Sequence, residues 1–209
     1  MSPPILAAQY WKNNAALIAD VARLGYLDGM VLDPTYGKGN WWKIYEPEVL
    51  MKSDIMHDVP GGVMGGIDFT DLPWVDNMFD AVAFDPPYVS VGGRKTTGLA
   101  GMHSAYGLTN APTTPLGVQE QIYAGLTECT RVLKPRGYLL VKCQDYISSG
   151  KLWPGVHYTT QYSMIYCRLE LIDKFEHLAK TSRAQPGGRR QVHARRNLST
   201  LLVFRKPKG

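Results

Sequence analysis

Met30-Val31-Leu32-Asp33-Pro34-Thr35-Tyr36-Gly37-Lys38-Gly39 is the stretch on which the reading of this 209-residue chain turns. The apolar run 30–32 suits a buried strand and is too short for a helix. It ends at Asp33 and passes into a turn with two glycines two residues apart. Glycine reaches the positive φ such a turn requires, and its missing side chain lets a ligand approach the backbone. The phosphate loop G-x-x-x-x-G-K-[ST] is absent, which disfavours nucleoside triphosphate hydrolysis.

Outward from this stretch the same design recurs. The run 49–51 ends near Asp54, the run 63–67 ends at Asp68, and Phe79-Asp80-Ala81-Val82-Ala83-Phe84 ends at Asp85. One Asp at a strand end is ordinarily a turn former, whereas four in succession look like a site. Asn13 or Asn14 caps a first helix that carries Leu17, Val21 and Leu24 on one face and stops at Gly25. Val118, Ile122, Leu126, Cys129 and Leu133 mark a later helix, broken by Lys134-Pro135-Arg136-Gly137 before a fifth strand at 138–141. β-rich segments follow near 165–175 and 198–204. Short strands mixed with helices predict an α/β fold with a mostly parallel sheet. Ligands in such sheets bind beyond the carboxyl ends of the strands. After Gly39 only 40–45 are available for a crossover helix, and 70–78 leaves no room for one of normal length.

The bulk numbers narrow the function. With 44% hydrophobic and 20% charged residues the chain can bury a core, and its length fits one domain. No run of 18 apolar residues predicts a membrane span, and the first residues lack the pattern of a signal peptide. Cys129, Cys143 and Cys167 form no Cys-x-x-Cys pair, so neither zinc nor a disulfide framework is expected and the reading is cytoplasmic. The net charge is +5, and nine of the 23 Lys and Arg lie beyond residue 177 with no acidic residue among them. A basic end on a slightly acidic body points to a polyanion partner.

Asp85-Pro86-Pro87-Tyr88 carries the chemistry. An aromatic exocyclic amine is a poor nucleophile, because its lone pair is delocalised into the ring. Acceptors on both of its N–H groups favour a pyramidal nitrogen; Asp85 supplies one and the Pro86 carbonyl the other. The prolines hold both acceptors in place before substrate arrives. Tyr88 offers a ring face on which a flipped-out base can stack.

These motifs resemble the class I S-adenosylmethionine-dependent methyltransferases, specifically the N6-adenine/N4-cytosine amino-methyltransferases, over roughly 28–204. The resemblance implies a Rossmann-like, seven-stranded, mostly parallel sheet with an antiparallel last strand and helices on both faces. It implies S-adenosyl-L-methionine as cofactor and no metal. Asp33-Pro34-x-x-Gly37-x-Gly39, with Thr35, is similar to the motif that cradles the cofactor's methionine part. Asp54 stands where the family has an acid on the ribose hydroxyls, and Asp68-Phe69 where an acid and an apolar residue hold the adenine. Tyr10 lies in the N-terminal region that touches the methionine end. Arg131-Val132-Leu133-Lys134-Pro135-x-Gly137-Tyr138 resembles the helix, break and fifth strand, and Arg196-Asn197-Leu198 through Lys206 the closing hairpin. The chain departs from the family's first motif at Thr35-Tyr36, where Phe is usual, and at Lys38, where Ser is.

The resemblance makes the expected partner nucleic acid, DNA first, with no separate target-recognition domain. The segment 89–114 reads as a substrate loop offering Arg94, Lys95, His103 and Tyr106. Lys142, at the end of the fifth strand, is read as lining the target pocket. The basic loop 180–197 offers Arg189, Arg190, Arg195 and Arg196. Asp at position 85 leans toward adenine N6; cytosine N4 and RNA base N-methylation are the alternatives. A catalytically idle nucleic-acid-binding module is the other class, and the intact Asp-Pro-Pro-Tyr argues against it.

Overall fold

The computed structural model describes residues 6, 11–88, 112, 114–178, 192–194 and 196–208. In chain order the elements are α1 (Asn14–Ala22), β1 (Met30–Asp33), β2 (Val49–Lys52), β3 (Phe79–Phe84), α2 (Pro115–Val132), β4 (Leu133–Cys143), β5 (Tyr146–Ser148), β6 (Lys151–Trp153), α3 (Gly155–Ile165), β7 (Glu170–Leu178) and β8 (Leu198–Arg205). Eight of these strands split into a six-stranded sheet, ordered β2-β1-β3-β4-β8-β7, and a β5-β6 hairpin. Strands β2, β1, β3 and β4 run parallel, and β8 is antiparallel to both β4 and β7. The mostly parallel sheet and its antiparallel last strand are as the sequence implies.

Strand alternation sorts the core into two layers. Leu32, Val82, Phe84, Leu139, Val141, Leu202 and Phe204 face α2, whose Val118, Ile122, Leu126 and Cys129 cover them. Val31, Ala81, Ala83, Leu140, Leu201 and Val203 face the other way, onto Leu17, Ile18 and Val21 of α1. The small Ala81 and Ala83 leave room for α1 beside β3. The Asn13 side chain accepts from the Ala16 N–H at 2.9 Å and caps α1, as its sequence suggests.

The sheet has six strands among the described residues, not seven. The segment 63–67 gives only a single parallel bridge, Ser53 to Met64. Gly61, Gly62 and Gly66 all sit at positive φ, which keeps the chain around it turning and prevents a ladder. No helix forms over 40–45; turns there bring two tryptophans under the glycine turn. The segment 70–78 is likewise irregular and is pinned to α2. Arg131 donates to the Leu72 and Trp74 carbonyls at 2.9 and 2.7 Å, and Glu128 accepts from the Leu72 N–H. The fifth strand starts at Leu133, five residues earlier than expected, with Arg136 at φ 69°. Helix α3 and the β5-β6 hairpin have no counterpart in the sequence reading, and the β-rich segment expected from 165 begins at Glu170. No helix among the described residues is long and apolar enough to cross a membrane.

Candidate cofactor and catalytic site

Three of the four expected acids converge at the carboxyl ends of the parallel strands. Asp33 ends β1 and is buried. Its Oδ1 accepts from the Thr35 N–H at 2.9 Å, which forms the first bend of the turn, and its Oδ2 accepts from the Trp42 indole N–H at 2.7 Å. Gly37 and Gly39 follow at φ 53° and 63°. A Cβ at Gly37 would meet nothing closer than the Thr35 carbonyl at 3.9 Å, so open space lies over the backbone there. Asp54 closes the turn from the next strand. Its Oδ2 accepts from the Gly37 N–H at 2.7 Å and its Oδ1 from the Met56 N–H at 2.9 Å.

Asp85 follows β3 directly and continues the row of Ala81 and Ala83, so it stands on the α1 side. Two contacts tie it to the glycine turn. Its backbone N–H donates to the Thr35 hydroxyl at 2.9 Å, and its Oδ2 accepts from the Trp41 indole N–H at 2.8 Å. One continuous hydrogen-bond system therefore runs Trp42–Asp33–Thr35–Asp85–Trp41. A cavity of about 310 Å³ opens over it, lined by Asn14, the 35–38 turn, Asn40, Trp41, Asp33 and Asp85-Pro86-Pro87-Tyr88.

Burial dominates the electrostatics. It pushes the Asp33 carboxyl up to about 7, against the Trp42 and Thr35 hydrogen bonds, and the charge of Asp85 adds to the rise. It pushes Asp85 up to about 6, opposed by the positive charge of Lys142 and by the Trp41 hydrogen bond. Lys142 is itself pushed down by burial and held up by Asp85.

The expected site residues divide into four groups. Asp33, Thr35, Gly37, Asp85, Pro86, Pro87 and Tyr88 line one cavity. Asp54 braces that cavity from behind, and Pro34 and Gly39 shape the turn without lining it. Asp68 lies apart: its Oδ1 accepts from the Thr70 N–H and hydroxyl at 2.9 and 2.8 Å, an ordinary turn contact. Phe69 is buried, with its ring edge-on to Phe84 at 5.2 Å, so it packs the core. Lys142, expected to line the target pocket, is only 1% exposed and is not among the residues that line this cavity. Strand alternation turns it toward α1, where its Nζ donates to Asn14 Oδ1 at 2.9 Å. Arg196 is exposed, and its carbonyl accepts from Gln144 Nε2 at 3.1 Å. Tyr10, Arg94, Lys95, His103, Tyr106, Arg189, Arg190 and Arg195 lie outside the described residues. Asn14 was read only as a possible helix cap, and Trp41 and Trp42 escaped the sequence reading. The signal was present as Trp41-Trp42 directly after the glycine turn, in a segment read as a short helix.

The framework recurs in solved structures. N-methyltransferase NodS from Bradyrhizobium japonicum, in complex with S-adenosyl-L-homocysteine, matches with a TM-score of 0.56 over 93% of this chain and 86% of that one, at 9% identity. A Galdieria sulphuraria protein assigned as a sarcosine dimethylglycine methyltransferase gives 0.56 over 93% and 85% at 13% identity. The [4+2]-cyclase SpnF gives 0.55 over 99% and 90% at 17% identity. No protein-family model and no curated protein matches the sequence. A cyclase and methyltransferases on one framework illustrate that architecture does not choose the reaction. At these identities the likeness is one of architecture, and the chain has the Rossmann-like fold of the class I methyltransferases.

Proposed function

We propose that this protein transfers a methyl group from S-adenosyl-L-methionine to an exocyclic amine of a nucleobase in DNA, adenine N6 foremost. The observation that carries the reading is that Asp85-Pro86-Pro87-Tyr88 lines the same cavity as the glycine turn. The cavity fits the cofactor chemically. Gly37 presents bare backbone with open space above it, and Asn14 and Asn40 offer amide groups to an amino-acid moiety. The cofactor supplies a methyl group made electrophilic by its sulfonium.

The chain's own residues act on the amine. Asp85 accepts one N–H of the target and the Pro86 carbonyl the other, which draws the nitrogen lone pair out of conjugation. Asp85 Oδ2 is already engaged by Trp41, so Oδ1 faces the task and holds the proton that leaves the nitrogen. Tyr88 stacks on a base extruded from the helix. Asp85 acts as its carboxylate, so transfer rises with pH through about 6. The test is transfer of labelled methyl from the cofactor to DNA, RNA and protein in parallel, followed by nucleoside analysis. N6-methyladenine from DNA supports the reading. Label in N4-methylcytosine or in RNA moves the substrate, and label in protein alone overturns it.

A further inference from the structure

Trp41 belongs to none of the motifs that the proposed reaction uses, yet its only polar atom is spent on the proposed catalytic acid. The indole Nε1 lies 2.8 Å from Asp85 Oδ2, and the ring is 5% exposed. A buried indole N–H finds a partner somewhere, so the bond alone would be unremarkable. The surroundings make it specific. Trp42, the next residue, spends its own N–H on Asp33 at 2.7 Å, and the Thr35 hydroxyl joins the two acids. The two rings are tilted against each other, with centroids 6.3 Å apart, so each fixes the other's direction. The main chain turns Trp42 back by a hydrogen bond from its N–H to the Gly39 carbonyl at 3.2 Å. The charged groups that act on Asp85 are Asp33 from β1 and Lys142 from β4, and Trp41, from the turn after β1, adds a neutral hydrogen bond.

From this geometry we infer that Trp41 is a positioning residue for Asp85. Its N–H holds one carboxylate oxygen so that the other is presented to the target amine. The inference rests on the reading of Asp85 as the catalytic acid. A carboxylate free to rotate about its Cβ–Cγ bond offers either oxygen in any direction. One held at Oδ2, with its backbone N–H fixed by Thr35, offers Oδ1 in one direction only. Such pre-organisation raises kcat more than it tightens binding. The same N–H favours the charged carboxylate, so its loss also makes Asp85 harder to ionise.

The test removes the N–H and keeps the ring. Trp41 is replaced by 3-benzothienylalanine, an isostere with sulfur in place of N–H, and in parallel by Trp41→Phe. Asp85 is followed in the cofactor-free protein by carbonyl-carbon NMR of labelled aspartate, with Asp85→Asn assigning its signal. The titration midpoint is expected to rise by about one pH unit, the worth of one hydrogen bond to a charged group. The acidic limb of kcat moves up with it. Above pH 8, where Asp85 is ionised in both proteins, a fall in kcat of about tenfold remains while KM for DNA changes less than twofold. An unchanged midpoint and acidic limb in a folded isostere overturns the inference. The NMR midpoint needs no turnover, so it decides the role of Trp41 even if the labelling experiment moves the substrate away from DNA.

Discussion

At the scale of single residues, the buried Asp33 and the half-buried Asp85 share one short hydrogen-bond chain. Asp33 takes three bonds and shapes the turn. In the proposed reaction Asp85 keeps Oδ1 for substrate, since Oδ2 accepts from Trp41. Asp85→Ala therefore abolishes transfer while calorimetry finds cofactor affinity within about threefold of the parent; loss of both together would place Asp85 in the cofactor site. Asp33 also sets a pH dependence. Its carboxyl titrates near 3.8 when unfolded and near 7 when folded, so folding takes up a proton between those values. Its stabilising contribution is fully present below about pH 4, falls as pH rises, and is lost above about 7. Asp85 acts in the same direction over a narrower window. His177, pushed down by burial, tilts the curve the other way below pH 6.5, so the comparison with Asp33→Asn carries the test. The parent should lose about 2–3 kcal/mol relative to that variant between pH 5 and 7, read from denaturant melts without cofactor. Parallel curves would mean that Asp33 stays ionised in the folded protein.

At the scale of elements, helix α2 is held against the sheet by close approach at one point. A Cβ at Gly125 would lie 2.6 Å from Phe84 Cζ and 2.7 Å from Phe69 Cδ2. Both rings are buried and edge-packed on each other, so neither can swing away. Gly125→Ala should cost about 1–3 kcal/mol despite the better helix propensity of alanine. Because Phe84 precedes Asp85, it should also lower activity at temperatures where the fold persists. Thermal melts and turnover on one preparation check both; a stabilised variant would show that α2 has slack. This packing also explains what the sequence disclosed. Helix α2 was legible because its buried face recurs every three or four residues, and β1 and β3 because each apolar run ends in Asp. Helix α3 was not, since Gly155-Val156-His157-Tyr158-Thr159-Thr160 are poor helix formers and its N-cap, Pro154, makes no side-chain bond. The glycine turn and Asp85 announced the site through residue type. Trp41 did not, because its place beside Asp85 comes from which way a loop turns it.

At the scale of the molecule, topology gathers what the chain separates. Phe84 pairs with Val141, Cys143 with Thr200, and Leu198 with Leu178. The ends of β3, β4 and β7 and the start of β8 therefore share the edge on which Asp85 stands. The acid-free segment 89–113 leaves that edge at Tyr88 and rejoins the fold at Thr114, the N-cap of α2. The basic segment 179–197 joins β7 to β8 at the same edge. Both carry positive charge and no acidic residue, since all 18 acids lie elsewhere in the chain, and on the proposed reading this charge draws a polyanion. Arg189 and Arg190 are adjacent in the middle of the second segment. Replacing both with alanine should weaken DNA binding by a similar factor for every sequence, since phosphate contacts position a duplex without reading it. The slope of log K against log salt should become shallower by about 0.9 for each phosphate that the variant no longer neutralises. Methyl transfer at saturating DNA should stay within about twofold, because the proposal gives these arginines the phosphates and Asp85 the amine. Binding isotherms from about 50 to 300 mM salt, the range over which counterion release dominates affinity, check this. A slope equal to that of the parent would assign the polyanion grip to the 89–113 segment, and the Arg94→Ala/Lys95→Ala pair would then have to show the weaker binding.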